Sequence, residues 1–326
     1  MDIRWHINTT LIKIAINFLK WSGWYDGYWD DWRGEMFSYA QKQGLHILPV
    51  HYYSPVPKTD ELSQCIWEKK SELIGIELNI DLAVDLLMRL AKDYQQEYTK
   101  FPYEPTSNHQ QFYLNNSAYG RGDAEILYSM IRDRKPQRII EIGSGNTTLL
   151  ISQAIRKNRS DDSDYSCDFL AIEPYPPEYL NPLPTEVRKI LQQQVQTVPI
   201  EEFTSLKSGD ILFIDSSHVA KIGSDVIYEY LEILPRLDPG VLIHIDDIFL
   251  PMNYPYEWID KFKFFWNEQY LLQGFLSFNQ EFKVIMPTYA LDKQYPEVLE
   301  TYIPSCAGQN YLVSSFWIEK CIPSLI

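Results

Sequence analysis

The segment Arg138-Ile-Ile-Glu-Ile-Gly-Ser-Gly-Asn-Thr-Thr148 decides the fold. Its first five residues form the mainly apolar run of a buried strand, and two glycines follow. Gly143 and Gly145 let the backbone bend sharply and approach a ligand, and the free N–H groups of a helix that begins near Thr147 face the same place. The segment therefore predicts a strand, a bend with a ligand site, and a helix. The alternative is a tight strand-to-helix turn without a ligand.

The residues around the bend indicate the charge of the ligand. The dinucleotide fingerprint has a third glycine where this chain has Thr148, which disfavours a pyrophosphate. Glu141, just before the bend, would repel a diphosphate and balance a cation. Glu173 ends the apolar run Phe169–Glu173, where a carboxylate can accept both hydroxyls of a ribose. These features favour a cationic nucleoside, and the alternative for Glu173 is a solvated side chain before Pro174.

Apolar runs and helical patterns alternate on both sides of this segment. Continuous apolar strands that alternate with helices are typical of a mainly parallel sheet with helices on both faces. Helices are predicted at Asp123–Arg132, around 227–234 and at 258–270, and strands at Arg138–Ile142, Phe169–Glu173, Ile211–Asp215, Val241–Asp246, Phe282–Met286 and Tyr311–Ile318. The pattern predicts a doubly wound, seven-stranded, Rossmann-like α/β domain.

The first part of the chain has a different character. We expect residues 1–122, rich in aromatic residues and prolines, to form a helical lid or oligomerisation region, and residues 123–326 to form the α/β domain. The apolar stretch Leu11–Leu19 is too short to span a membrane, which takes about 20 residues. Its helical spacing predicts an amphipathic helix docked on the protein or on a second subunit, with a membrane-surface helix as the alternative. Asn79 is placed to cap a helix that follows it.

Charge and cysteine content exclude several classes of protein. The 326 residues contain 29 Lys and Arg against 44 Asp and Glu, a formal net charge of −15, which would repel a phosphate backbone. We therefore expect no nucleic-acid partner. The four cysteines show no CxxC spacing, which argues against zinc ribbons and disulfide frameworks and favours a cytoplasmic location.

A carboxylate and an imidazole follow the predicted strand Ile211–Asp215. Asp215 and His218 would emerge at its carboxyl end, where ligands of open α/β sheets bind. Imidazole has an ordinary pKa of about 6.5, which suits removal of a hydroxyl proton. We therefore predict His218 and Asp215 as catalytic residues, with His218 as the general base. The alternative for His218 is a structural hydrogen bond to a helix or a loop.

Two further carboxylates end the predicted strand Val241–Asp246. Asp246 and Asp247 could join Asp215 in a set of hard oxygen ligands that suit Mg²⁺. Adjacent residues of an extended strand point to opposite sides, so both can ligate one ion only if the strand ends between them. The alternative is that these carboxylates serve hydrogen bonding and helix capping.

Taken together, these motifs resemble the class I S-adenosylmethionine-dependent methyltransferases, in the branch that contains small-molecule and sugar O-methyltransferases. The resemblance runs from about residue 124 to the end of the chain, and it implies a strand order of 3-2-1-4-5-7-6 with strand seven antiparallel. It also implies S-adenosylmethionine as cofactor, with Glu141 at the methionine ammonium and Glu173 at the ribose. The cofactor-binding residues that we predict are Glu141, Gly143, Ser144, Gly145, Asn146, Thr147, Glu173 and Asp215.

The resemblance implies an enzyme that methylates a hydroxyl of a small molecule, such as a sugar or a natural-product scaffold. We expect a small-molecule acceptor, no membrane partner, a homodimer, and Mg²⁺ as a second cofactor. Two alternatives stay open. One is a nicotinamide-dependent oxidoreductase on the same sheet, and the other is a binding module that has kept the fold without catalysis.

Overall fold

The structure is a computed structural model that describes residues 3–21, 32–48 and 50–322. The chain divides into two compact units, Met1–Ser63 and Gln64–Ile326. The boundary predicted after residue 122 lies inside the second unit, and the lid or oligomerisation role of residues 1–122 remains a proposal. Residues 22–31, an aromatic part of that region, lie outside the described residues.

The first unit contains two longer helices, α1 (Ile3–Trp21) and α2 (Trp32–Lys42). The helix predicted over Leu11–Leu19 is confirmed within α1, and its side chains Leu11, Ile12 and Ile16 are exposed. None of the helices in the described part of the chain is long and apolar enough to cross a membrane.

The second unit alternates helices and strands. Its helices are α3 (Cys65–Glu68), α4 (Ile80–Tyr98), α5 (Asp123–Arg134), α6 (Asn146–Asp161), α7 (Ile200–Thr204), α8 (Asp225–Tyr228), α9 (Tyr256–Asp260), α10 (Glu268–Leu276), α11 (Thr288–Gln294) and α12 (Pro296–Tyr302). Its strands are β1 (Arg138–Ile142), β2 (Asp168–Ile172), β3 (Val187–Leu191), β4 (Ile211–Ile214), β5 (Leu242–Ile245), β6 (Phe282–Pro287) and β7 (Phe316–Lys320). A π-helical segment, Glu229–Ile233, continues α8.

The seven strands form one sheet in the order β3-β2-β1-β4-β5-β7-β6. The first five are parallel, and β7 is antiparallel to both β5 and β6. Each face of the sheet carries its own apolar cluster, so that Ile139 of β1 packs into one and Ile140 into the other. The predicted doubly wound, seven-stranded fold is confirmed, and its central strands are apolar throughout because both of their faces are buried.

The strand predictions succeed best in the buried centre of the sheet. β1 has the predicted bounds, and β2, β4 and β5 lie within one or two residues of theirs. β3 was missed because it is an edge strand, and its exposed Arg188 and Lys189 interrupt the apolar run. β7 begins at Phe316, five residues later than predicted.

Two helix predictions need correction. The helix predicted over 258–270 is wrong, because α9 ends at Asp260 and α10 begins at Glu268. The spacing of Phe262, Phe264 and Trp266 at every second position suits an extended chain better than a helix, and Phe265 is a further aromatic residue between them. Asn79 does precede α4, but its amide donates to the carbonyls of Glu77 and Val284 and does not cap the helix.

Candidate functional site

The glycine bend lies where β1 ends, next to the strands on either side of it. Gly143 has a φ of 85°, and its N–H donates to the carbonyl of Ile172 in β2. A Cβ at Gly143 would lie 2.1 Å from the carbonyl oxygen of Asp215, which follows β4. The bend therefore needs glycine for its backbone angle and for the close approach of the next strand.

A cavity of about 530 Å³ opens at this bend. It lies at the carboxyl ends of β1, β2 and β4, where the order of the strands reverses and where open α/β sheets bind their ligands. The predicted residues Gly143, Glu173 and Asp215 line it, together with Ile142, Ile172, Pro174, Tyr175, Gln194, Val195, Gln196, Ser216, Ser217, Lys221, Gly223, Ser224 and Asp225. Another cavity of the same volume borders β6, so volume alone does not identify the site.

Glu173 lies at the rim of the cavity. One of its carboxylate oxygens accepts a hydrogen bond from the Tyr175 N–H at 2.7 Å, and the other lies 3.4 Å from the Ser144 N–H. The Ser144 hydroxyl is buried and has no hydrogen-bond partner. These contacts fix the Glu173 carboxylate at the end of β2, beside the glycine bend.

Glu141 lies behind the bend and does not line the cavity. Its side chain is fully buried, and its two oxygens accept hydrogen bonds from the hydroxyls of Thr147 and Thr148 at 2.6 and 2.7 Å. Burial raises the pKa of Glu141 to about 8, although the two hydroxyls act in the opposite direction. In this structure Glu141 anchors the first turn of α6, and its contact with a cofactor ammonium remains a prediction.

The predicted residues Asn146 and Thr147 begin α6. Thr147 is buried and its hydroxyl donates to Glu141, whereas Asn146 is partly exposed. The N–H of Gly145 donates to the Thr148 hydroxyl, which closes the first turn. The bend and the start of α6 are thus held by side chains of the same short segment.

His218 lies on the loop after β4, among carboxylates from three parts of the chain. Its Nδ1 is 2.9 Å from an oxygen of Glu268, at the start of α10. Its Nε2 is 3.3 Å from Asp215 and 3.5 Å from Asp247. The backbone of His218 has a φ of 57°, and its carbonyl accepts the N–H groups of Asn267 and Glu268.

The charge of His218 follows from these partners. Burial by itself lowers the pKa of a histidine, but the hydrogen bonds to Asp215 and Glu268 outweigh it and raise the pKa of His218 well above its ordinary value. Burial raises the pKa of Asp247 to about 7, with the charge of His218 opposing it. His218 therefore has carboxylates beside both of its ring nitrogens, and these favour its protonated form.

The sequence analysis missed Glu268. Its second oxygen accepts a hydrogen bond from the Tyr230 hydroxyl at 3.0 Å, and its side chain is fully buried. Glu229, also fully buried, accepts from the Ser216 hydroxyl at 3.0 Å, and burial together with the nearby Glu268 charge raises its pKa. Glu268 stands 50 residues after His218, and its place in the predicted helix 258–270 gave no sign of this contact.

The predicted metal site is not supported. Among the described residues, which include all three aspartates, no group of three or more His, Cys, Asp or Glu side chains is placed to hold a metal ion. Asp247 has a φ of 56° and accepts from the Ser314 hydroxyl, while Asp246 is buried with one oxygen unpartnered. Burial and the adjacent Asp247 raise the pKa of Asp246 well above its ordinary value, which favours its neutral form.

Three comparisons place the chain among known proteins. Residues 140–248, about a third of the chain, match a family model described as a methyltransferase domain. An uncharacterised protein of Archaeoglobus fulgidus is 29% identical over 189 residues, which are 55% of this chain and 81% of that protein. A crystal structure of a Plasmodium falciparum protein, described as a protein-L-isoaspartate O-methyltransferase in complex with S-adenosyl-L-homocysteine, shares 14% identity at a TM-score of 0.28. It covers 52% of this chain and 84% of that one.

Proposed function

We propose that this chain, a class I S-adenosylmethionine-dependent methyltransferase by its domain match and its strand order, methylates a hydroxyl group of a small molecule or a sugar. The observation that carries the proposal is the position of Asp215. Its side chain is about one third exposed and lines the cavity at the glycine bend, and it also contacts the imidazole of His218. A single residue thus joins the cavity to the acid–base cluster.

The residues at the bend suit the cofactor. S-adenosylmethionine supplies a methyl group on a positively charged sulfur, and carboxylates at the cavity wall favour a cation. Glu173 would accept hydrogen bonds from the ribose hydroxyls, and the backbone of Gly143, which has no side chain, lines the cavity directly. We assign Ser144, Gly145 and Asp215 to the same cofactor contact surface.

We assign the removal of the acceptor's hydroxyl proton to the pair Asp215 and His218. A hydroxyl that enters beside Asp215 can donate its proton to the carboxylate, while the imidazolium of His218 stabilises the negative charge that develops. When the Asp215 carboxylate has taken a proton, His218 can pass its own proton to Asp247, whose carboxylate lies 3.5 Å from the same Nε2 atom. The acid–base group is therefore the cluster, and His218 acts within it.

The acceptor class, the cellular location and the oligomeric state are part of the same proposal. We assign a small-molecule acceptor and a cytoplasmic location, the latter supported by the free thiols Cys167, Cys306 and Cys321. We also assign a homodimer, supported by the exposed apolar side chains Leu11, Ile12 and Ile16 of α1. Analytical ultracentrifugation of the full chain and of the Leu11→Lys variant tests the homodimer.

Ligand-dependent melting tests the cofactor and the reaction class. S-adenosylhomocysteine should raise the melting temperature of the wild-type chain, whereas NADH should leave it unchanged, because a ligand stabilises only the folded state that binds it. Transfer of a labelled methyl group from S-adenosylmethionine to a panel of alcohols, amines and thiols then tests the acceptor group. Stabilisation by NADH, or transfer to amines or thiols alone, would contradict the proposal.

A further inference from the structure

The irregular segment between α9 and α10 carries three stacked aromatic rings. Phe262 and Phe264 have their ring centroids 5.6 Å apart with planes 29° apart. Phe264 and Trp266 stack at 4.8 Å with planes only 4° apart. We call these three residues the aromatic ladder.

The ladder runs from solvent to the acid–base cluster. Phe262 is 58% exposed and Phe264 is 40% exposed, while Trp266 is partly buried. The Trp266 ring lies 4.4 Å from the imidazole of His218. Exposure thus falls step by step towards the residues to which we assign the hydroxyl proton.

Contacts behind the ladder hold it in place. Trp258 meets Trp266 edge to face at 5.1 Å and Phe264 at 6.3 Å. The N–H of Phe264 donates to the carbonyl of Trp258 at 2.9 Å, and the N–H of Phe262 lies 3.3 Å from the carbonyl of Glu257. Rings that are fixed and yet exposed contribute little to the core, and apolar surface of this kind is typical of binding sites.

We infer that the aromatic ladder is the acceptor subsite and that it binds a hydroxyl-bearing ring by its flat face. This inference rests on the proposed function, because it takes the methylated hydroxyl to be the one presented to Asp215. Because Phe264 is stacked against both Phe262 and Trp266, the ladder presents mainly ring edges, which can contact the flat face of a ligand edge to face. Carboxylates such as Asp215 and Asp247 accept hydrogen bonds from hydroxyls at the edge of the same molecule. A ligand with one apolar face and a hydroxylated edge satisfies both surfaces.

Two kinds of molecule have this chemistry, a saturated sugar ring and a phenolic ring. The test uses the full chain saturated with S-adenosylhomocysteine, and it measures binding by saturation-transfer NMR. The probes are methyl glucopyranoside, methyl galactopyranoside, methyl mannopyranoside and catechol, with glycerol as an open-chain alcohol. Binding of the glycosides identifies a sugar, and binding of catechol alone identifies a phenol.

The variant Phe264→Ala should weaken binding of the ring probe by about tenfold or more. The variant Phe262→Ala should weaken it by about threefold. Affinity for S-adenosylhomocysteine should not change. Phe278→Ala is the matched control, because Phe278 is 76% exposed and borders the cavity at β6. It should bind the probe as the wild type does, and circular dichroism checks that each variant is folded.

Three outcomes overturn the inference: equal affinity of the two ladder variants and the wild type, binding of glycerol alone, and no binding of any ring probe. Methyl transfer to the bound probe is measured separately with S-adenosylmethionine. A ring that binds at the ladder without being methylated contradicts the proposed function and leaves the subsite intact. Methylation of the probe that the Phe264→Ala variant does not reduce supports the proposed function and contradicts the assignment of the ladder as the acceptor subsite.

Discussion

The proposed cofactor half of the site and the proposed acceptor half are built in different ways. The glycine bend of the cofactor half comes from one continuous segment, Arg138–Thr148, and residues that follow β2 and β4, such as Glu173 and Asp215, complete the wall of the cavity. The acceptor half joins His218, Asp247 and Glu268, which come from three separate segments. Local sequence therefore determines the glycine bend, whereas the acceptor half exists only once the sheet and α10 have come together.

Two buried histidines show the same difference on a smaller scale. His244, within β5, stacks on Phe213 at 4.1 Å and lies 3.1 Å from the Tyr119 hydroxyl, and burial lowers its pKa to about 3. His218 is also buried, but its carboxylate partners raise its pKa. Burial makes a histidine neutral unless anions lie within hydrogen-bonding distance, so the surroundings decide the role of each imidazole.

The largest effect is expected at the glycine bend. The change Gly143→Ala places a Cβ 2.1 Å from the carbonyl oxygen of Asp215, in a backbone conformation that L-residues rarely adopt. We expect affinity for S-adenosylhomocysteine to fall by roughly 10²-fold or more, because the bend must move away from β4. Isothermal titration calorimetry measures the affinity.

Gly209→Ala is the control for backbone strain. Gly209 has a φ of 89°, and a Cβ there would meet no atom within 4 Å. The Gly209→Ala variant should lose some stability and keep the wild-type affinity for S-adenosylhomocysteine. If both alanine variants bind equally well, the bend is not the cofactor site and the contrast between the two halves fails.

The next effect separates the halves directly. We expect His218→Ala to lower kcat by roughly 10²-fold, in the range typical of lost acid–base catalysis, while affinity for S-adenosylhomocysteine changes by less than about twofold. Initial rates with saturating acceptor give kcat, and calorimetry gives the affinity. His109→Ala, at an exposed histidine, is the control. Unchanged turnover would make His218 a structural residue.

A smaller effect is expected from Glu268, which we treat as a positioning residue. Glu268→Gln removes one of the anions that hold His218 as an imidazolium, so we expect the pKa of His218 to fall and kcat to drop by about tenfold. Tyr230→Phe removes only the hydrogen bond to the other oxygen of Glu268, so it should change the pKa of His218 and kcat less than Glu268→Gln does. NMR titration of the imidazole proton follows the pKa, and a pKa equal to that of the wild type would contradict the role.

The limits of sequence-based prediction follow the same division. The apolar run of β1, the glycines and Glu173 were predicted because each acts through its immediate neighbours. Glu268 and the aromatic ladder were missed because the segment was predicted as a continuous helix. The predicted metal site is not supported among the described residues: Asp247 has a φ of 56° and accepts a hydrogen bond from Ser314, which no strand pattern shows. The contact of Glu141 with its two threonines was also not anticipated.

The smallest effect is expected within the cofactor half, and it concerns stability. The pKa of Glu141 is about 8 in the folded chain, against an ordinary value of 4.5. Between these two values the folded chain holds a proton that the unfolded chain has released, so the free energy of unfolding falls as the pH rises. Glu141→Gln cannot titrate and should remove up to about 1.4 kcal/mol per pH unit of that slope. Urea unfolding at pH 5 to 8 measures the difference between variant and wild type.

The exposed control Glu257→Gln should keep the wild-type slope of the free energy of unfolding against pH. If Glu141→Gln also has the wild-type slope, Glu141 is already ionised and free to contact a cation directly.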